Sequence, residues 1–256
     1  MIPTIIEIGP IPIRSFGLMV ALALFAGAVR LGMSFTRYGI DARLAERYVT
    51  AAGISGLLGA RLWYLAENWS WVRHDLVGSI FASAGFTFYG GFIIAAGVVY
   101  WLARRDGVSI GRFCDSLGPA LALGYAVGRL GCQLSGDGDY GSTTFGFWGM
   151  SYATGVVPTM PGERVYPTPL FESAISLAVV FLLSWVERGD RYFAKPLQRF
   201  GLYLVCISLE RIVVEVFRIN PTVLWSLSEA QVIGAVLLLL GAACIVVPRG
   251  AKTSAA

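Results

Sequence analysis

Seven apolar runs of about twenty residues, each closed by a charged or glycine-containing turn, constrain this chain more than any other feature. A bilayer leaves no water for backbone amides and carbonyls, so each run must satisfy its own hydrogen bonds as a helix. The runs predict spans at about 16–35, 48–66, 86–103, 113–131, 169–186, 200–217 and 229–247. The breaks between them are turn-forming, among them "RYGIDAR", "ENWSWVRHD", "RRDGVS", "ERGDRYFAK" and "RINPT". Hydrophobic residues make up 56% of the chain and charged residues only 14%, too few charges for a water-soluble domain of this size. The expected architecture is an all-α integral membrane protein of seven transmembrane helices. It reads as one domain over 1–256, with the loop 132–168 as a periplasmic cap. No internal repeat is visible. Close helix packing is expected at Gly53, Gly56 and Gly59, and at Gly124 and Gly128, which have GxxxG spacing.

Several classes of function are excluded at this point. One histidine and four scattered cysteines offer neither a zinc site nor a disulfide framework, so no metal and no cofactor is expected. Nothing in the sequence points to nucleic acid. The opening "MIPTIIEIGPIPIRS" lacks a basic start and an apolar core, so the first span itself is expected to direct insertion.

Lys and Arg set the orientation. The loops after spans 1, 3, 5 and 7 carry twelve: Arg37, Arg43, Arg47, Arg104, Arg105, Arg112, Arg188, Arg191, Lys195, Arg199, Arg249 and Lys252. The opposite side carries four: Arg14, Arg73, Arg164 and Arg218. The N-terminus is expected outside and the C-terminus in the cytoplasm.

A charge at the bilayer centre costs roughly 2.5–3.5 kcal/mol on insertion scales, so ionisable residues inside the spans need a reason. With this orientation, Arg61, Tyr89, Arg129, Glu172, Arg211 and Glu215 all fall in the outer half of the membrane. Arg30 and Asp115 lie toward the cytoplasm. On "ERIVVEVFR", Arg211, Glu215 and Arg218 share one helix face. Arg129 has no carboxylate at helical spacing on its own span, so its partner must come from another helix, a loop or a ligand. Guanidiniums bind phosphate oxygens in pairs and stay charged when desolvated. Arg129 and Arg211 at one depth therefore fit a phospholipid phosphate. The following "LSGDGDYG" offers Gly136, Gly138 and Gly141, whose amides can turn toward an anion.

These blocks, in this order, resemble the prolipoprotein diacylglyceryl transferase family. "GRLGCQLSGDGDYG" is similar to its signature. "IRSFGLMVALALFAG", "GFTFYGGFI", "FCDSLGPALALGYAVGRLG", "YPTPLFES" and "ERIVVEVFR" are similar to its other blocks, so the resemblance runs along essentially the whole chain. It implies transfer of diacylglycerol from phosphatidylglycerol to the lipobox cysteine thiol in the signal peptide of a prolipoprotein, giving a thioether and glycerol phosphate. It also implies a multi-pass protein of the bacterial inner membrane, with the site open to the outer leaflet.

By the same resemblance Arg129 and Arg211 are catalytic and bind substrate, and Glu215, Glu172 and Asp115 are family carboxylates. Tyr89 stands where the family carries a histidine considered as general base. Arg61, Ser135, Gly136, Asp137 and Gly141 complete the expected substrate site. Cys132 and Ser135 replace the two signature asparagines, Asp137 replaces glutamate, Tyr166 replaces histidine and Phe16 lacks a hydroxyl.

Asp137 and Asp139 are alternative bases, or turn residues paired with Arg129. His74 and Cys132 carry no expected catalytic part, and Trp69 and Trp71 read as interfacial anchors. Two other readings stay open: a lipid-binding relative with lost or altered chemistry, and a small membrane transporter.

Overall fold

The computed structural model describes residues 1–9, 11–82, 85–189, 193–225 and 227–246. Arg191, Arg249 and Lys252 of the charge count, and the last residue of the seventh expected span, lie outside them. A hairpin comes first, β1 (Thr4–Ile8) antiparallel to β2 (Ile11–Arg14). Then follow α1 (Ser15–Arg37), α2 (Arg43–Glu67), the short α3 (Trp69–Val72) and α4 (Leu76–Phe81), α5 (Phe88–Arg105) and α6 (Ile110–Ser135). After a long loop come α7 (Thr168–Arg188), α8 (Gln198–Glu215), a small hairpin of β3 (Thr222–Leu224) and β4 (Leu227–Ser228), and α9 (Glu229–Val246).

A helix stands at each expected span, and four of them, α1, α2, α7 and α9, are long and apolar enough to cross a membrane. Their outward faces remain apolar: Phe25 is 69% exposed, Phe181 73% and Leu239 71%. In water such faces would drive association, whereas in hydrocarbon they are at rest.

The chain divides into two compact units, Met1–Leu31 with Cys114–Ala256, and Gly32–Phe113. In the second unit, Phe35, Tyr48 and Phe113 form an aromatic trio with centroids 5.7–6.1 Å apart. The Tyr48 hydroxyl donates to Asp106 Oδ2 at 2.8 Å. Helices α2 and α5 approach closely here, since a Cβ on Gly59 would lie 2.7 Å from Ile94 Cβ. In the first unit, Ala122, Val179 and Leu183 pack α6 against α7, with Leu202 and Tyr203 of α8 around them. Gly201 and Gly241 bring α8 and α9 together, because a Cβ on either would lie 2.7 Å from the carbonyl of the other. The GxxxG pair behaves otherwise. A Cβ on Gly124 would make only an ordinary contact and one on Gly128 would meet nothing within 4 Å, so close packing there is a correction to the sequence reading. Spacing alone does not tell which helix face meets a neighbour.

Two charges placed toward the cytoplasm by sequence serve the scaffold. Arg30 on α1 donates to Glu187 Oε2 at 2.6 Å and to Ser184 Oγ at 3.0 Å. Asp115 on α6 accepts from the amides of Leu197 and Phe200, each at 2.8 Å, and so caps the start of α8. Leu197, with φ +72°, immediately precedes α8 and Phe200 lies in its first turn, where amides have no intrahelical acceptor. Asp115→Ala is expected to destabilise the protein by about 1 kcal/mol, as lost helix caps do, and a thermal unfolding curve in detergent reads it.

Candidate functional site

Three arginines and three carboxylates meet within the first unit. Arg129 comes from the last two turns of α6, Glu172 from the first turns of α7, and Arg211 and Glu215 from the end of α8. Arg218 follows α8, and Asp139 follows α6. Glu172 is the centre and is fully buried. Its Oε1 accepts from Arg129 Nη2 at 2.9 Å, from Arg211 Nη1 at 3.0 Å and from the Tyr125 hydroxyl at 3.0 Å. Its Oε2 lies 2.8 Å from Arg129 Nε and 3.9 Å from Arg218 Nη1. Arg129 and Arg211 thus converge on one oxygen atom. Arg129 Nε also donates to the Tyr125 hydroxyl at 3.1 Å, and its guanidinium lies over the Tyr125 ring.

Asp139 closes the other side. Its Oδ2 pairs with Arg129 Nη1 and its Oδ1 accepts from Arg218 Nη2 at 2.7 Å. Burial pushes the Asp139 carboxyl up, but the Arg129 and Arg218 guanidiniums outweigh that and hold it below the ordinary carboxylate range. The group is ionised at neutral pH. Its grip on the two arginines is lost only as pH falls through that lowered value. Glu215 sits 3.7 Å from Arg211 and 3.9 Å from Arg218, and its Oε1 accepts from Asn220 Nδ2 at 2.6 Å. Among the described residues, Glu172 Oε2, Glu215 Oε2 and Arg218 Nε and Nη1 are buried without a hydrogen-bond partner.

Backbone bonds hold these helix ends in register. Gly141 N donates to Tyr166 O at 2.8 Å, Ser142 N to Phe217 O at 2.7 Å, and Thr168 Oγ1 to Asp139 O at 2.6 Å. Gly141 is required here, since a Cβ would run into the Phe217 carbonyl. The loop beyond folds over itself through bridges from Val165 to Thr143 and Met150, and buried Tyr152 donates to Gln133 Oε1 at 2.6 Å.

The sequence-predicted residues divide accordingly. Arg129, Arg211, Glu172 and Glu215 are brought together. Ser135 is buried, its hydroxyl on the Cys132 carbonyl at 3.2 Å. Gly136 donates its amide to Cys132 O at 2.9 Å, and Gly141 donates its own to Tyr166. Of the three glycines expected to turn amides toward an anion, Gly136 and Gly141 spend theirs on these carbonyls, ending α6 and strapping the loop. Asp137 Oδ1 accepts from the Asp139 amide at 3.3 Å.

Arg61 and Tyr89 belong to the second unit. Arg61 is buried, with its guanidinium on the carbonyls of Ser79 and Ile80 at the end of α4 and of Gly85. Tyr89 is half exposed in the first turn of α5, its ring 5.8 Å from that of Phe88. His74 is exposed, with Nδ1 3.3 Å from Trp71 O.

Tyr125, Glu210 and Arg218 were not assigned to the site from sequence, whereas Asp139 was read as an alternative base or a turn residue paired with Arg129, and it does pair with Arg129. Glu210 is buried on α8 and accepts from Ser176 Oγ at 2.8 and 3.0 Å. For Arg218 a signal existed, its i+7 spacing from Arg211. Cys132 Sγ lies 3.6 Å from Arg129 Nη1. Cys132, Asp137 and Asp139 bring possible metal-ligand atoms within 4.8 Å of one another, but a divalent cation there would face two guanidiniums already bridged by Asp139.

Fold and site define a multi-pass membrane protein whose apolar helices enclose a guanidinium–carboxylate cluster. The chain belongs to the prolipoprotein diacylglyceryl transferase family, whose sequence model matches residues 3–247. It is 30% identical to the phosphatidylglycerol–prolipoprotein diacylglyceryl transferase of Synechococcus elongatus over 98% of this chain and 89% of that protein. It is likewise 30% identical to the protein of that name from Thermosynechococcus vestitus, over 92% of this chain and 88% of the relative. The Thermus thermophilus protein is 26% identical over 86% of this chain and 84% of its own length.

Proposed function

We propose that this chain moves the diacylglyceryl group of phosphatidylglycerol onto the lipobox cysteine thiol of a prolipoprotein. The sulfur–carbon bond forms as the glyceryl carbon–oxygen bond breaks. The electron pair of that bond leaves with the phosphate, and glycerol phosphate departs. The thiol proton is lost to a base or to the leaving phosphate. In this reading the chain crosses the bacterial inner membrane seven times, with its N-terminus outside, and the loop 132–168 caps a site open to the outer leaflet.

One observation carries the reading most: Arg129 and Arg211 approach a single point, the Glu172 Oε1 atom, at 2.9 and 3.0 Å. Two guanidiniums focused on one oxygen are arranged to hold a phosphate oxygen and to absorb charge as the ester bond breaks. Arg218, behind them, keeps two donor atoms unspent. The same positive charge raises the thiolate fraction of an approaching cysteine, whose free pKa is about 8.5. Glu172 and Glu215 fix the guanidiniums from the buried side, and Asp137 lies at the rim. Arg61, whose donors are on backbone carbonyls, is not among the phosphate ligands.

Purified protein, phosphatidylglycerol labelled in its acyl chains and a lipobox peptide test the proposal. Labelled peptide with one glycerol phosphate released per transfer is the expected result. Lipid binding without transfer would replace it with the lipid-binding reading. Tyr89 is proposed to orient the lipid through its hydroxyl, since a phenol with pKa near 10 is a poor base at neutral pH. Tyr89→Phe should then raise the KM for lipid about 5–10-fold with little change in kcat, the pattern of a bond used alike in ground and transition states. Unchanged kinetics would exclude that role for the Tyr89 hydroxyl.

A further inference from the structure

The arginine cluster is already balanced by its own carboxylates. Arg129, Arg211 and Arg218 face Asp139, Glu172 and Glu215. Asp137 approaches Asp139 within 4.8 Å. A phosphodiester entering this space brings one more negative charge, and a buried charge without compensation is strongly disfavoured. One carboxylate must therefore withdraw from the arginines as the phosphate arrives.

The three carboxylates that pair with the arginines differ in their freedom to do so. The Glu172 side chain is 0% exposed and that of Glu215 2%, both on helices, while the Asp139 side chain is 36% exposed on a loop. Asp139 also spans two guanidiniums through its two oxygens, as two oxygens of one phosphate would. Its backbone need not move, because Thr168 holds the Asp139 carbonyl at 2.6 Å whichever way the side chain turns. Behind it, buried Arg218 Nε and Nη1 are without hydrogen-bond partners, donors for which a phosphate offers more acceptors than a carboxylate.

We infer that the Asp139 carboxylate is an internal stand-in for the lipid phosphate: it occupies Arg129 and Arg218 between turnovers and swings toward solvent when a phosphodiester takes the same two guanidiniums. The inference rests on the phosphate-binding role proposed for Arg129 and extends that role to Arg218. Asp139 is then a competitor of substrate. It keeps the arginines aligned and charge-matched, and it sets how tightly the headgroup is held.

The test uses the full chain carrying Asp139→Asn and, separately, Asp139→Ala, which retains no side-chain contact with either guanidinium. Two quantities are measured against the unaltered protein: the KM for phosphatidylglycerol, and the Kd for glycerol phosphate as a headgroup probe. Both should fall about tenfold in each variant, the size of one lost charge-assisted competitor. A rise or no change in the Kd for glycerol phosphate would overturn the inference and leave Asp139 a structural tie. If the unaltered protein binds glycerol phosphate but transfers nothing, the transferase reading fails on its own. The comparison of Kd values still decides the role of Asp139.

Discussion

Arg129→Ala is expected to lower diacylglyceryl transfer by about 10³-fold or more, the loss seen when a positioned donor or arginine that meets transition-state charge is removed. The variant should nevertheless insert and fold. Replacing an arginine within a span removes an insertion cost of roughly 2.5–3.5 kcal/mol. Both carboxylates that Arg129 touches also keep another cation, since Glu172 retains Arg211 at 3.0 Å and Asp139 retains Arg218 at 2.7 Å. Transfer to a lipobox peptide and the melting curve of the same preparation together check the prediction. Turnover within a few-fold of the unaltered protein would remove Arg129 from the chemistry. A collapsed melting curve would show that its role is to hold Glu172. Arg129→Lys should recover little, because an ammonium cannot span two oxygens as a planar fork does.

Glu172→Gln is expected to have the largest effect on stability. The carboxylate is fully buried and within ion-pair distance of three guanidiniums. Neutralising it leaves those cations crowded together, and breaking a buried pair from one side costs about 3–5 kcal/mol. An amide also places an N–H group against donors that need an acceptor. Thermal unfolding in detergent measures the loss. If the glutamine protein melts with the unaltered one, the three arginines are solvated independently of Glu172, and the focus on one oxygen is not an energetic fact. Raising the salt concentration should recover only a small part of the stability, because screening reaches buried charges poorly.

The helices were legible because a length of about twenty apolar residues is a strong physical constraint, and it placed α1, α2, α5, α6, α7, α8 and α9 within a few residues. The short α3 and α4 and the two hairpins left no such mark, since elements of two to six residues cannot express a period. Within the site, the missing carboxylate on the span of Arg129 correctly announced a partner from elsewhere. That the partner was Glu172 could not be read, because contacts between helices have no fixed spacing. Arg218 was counted among the loop charges and read on one face with Arg211 and Glu215; it follows α8, and its side chain, only 10% exposed, pairs with Asp139, which no spacing announced. The glycines of "LSGDGDYG" were read as offering amides to an anion, but those of Gly136 and Gly141 already bond carbonyls, which depends on how α6 ends and not on the presence of glycine.

The straps between Gly141 and Tyr166 and between Ser142 and Phe217 are made of main-chain atoms alone. Apart from Gly141, where a Cβ would meet the Phe217 carbonyl, such seams draw on no side chain of the residues they join. Side chains around them, the Cys132 thiol and the Tyr166 phenol among them, can be exchanged to retune reactivity and selectivity while the helix termini stay moored. The frame on which the guanidiniums are mounted is separable from the decoration around it.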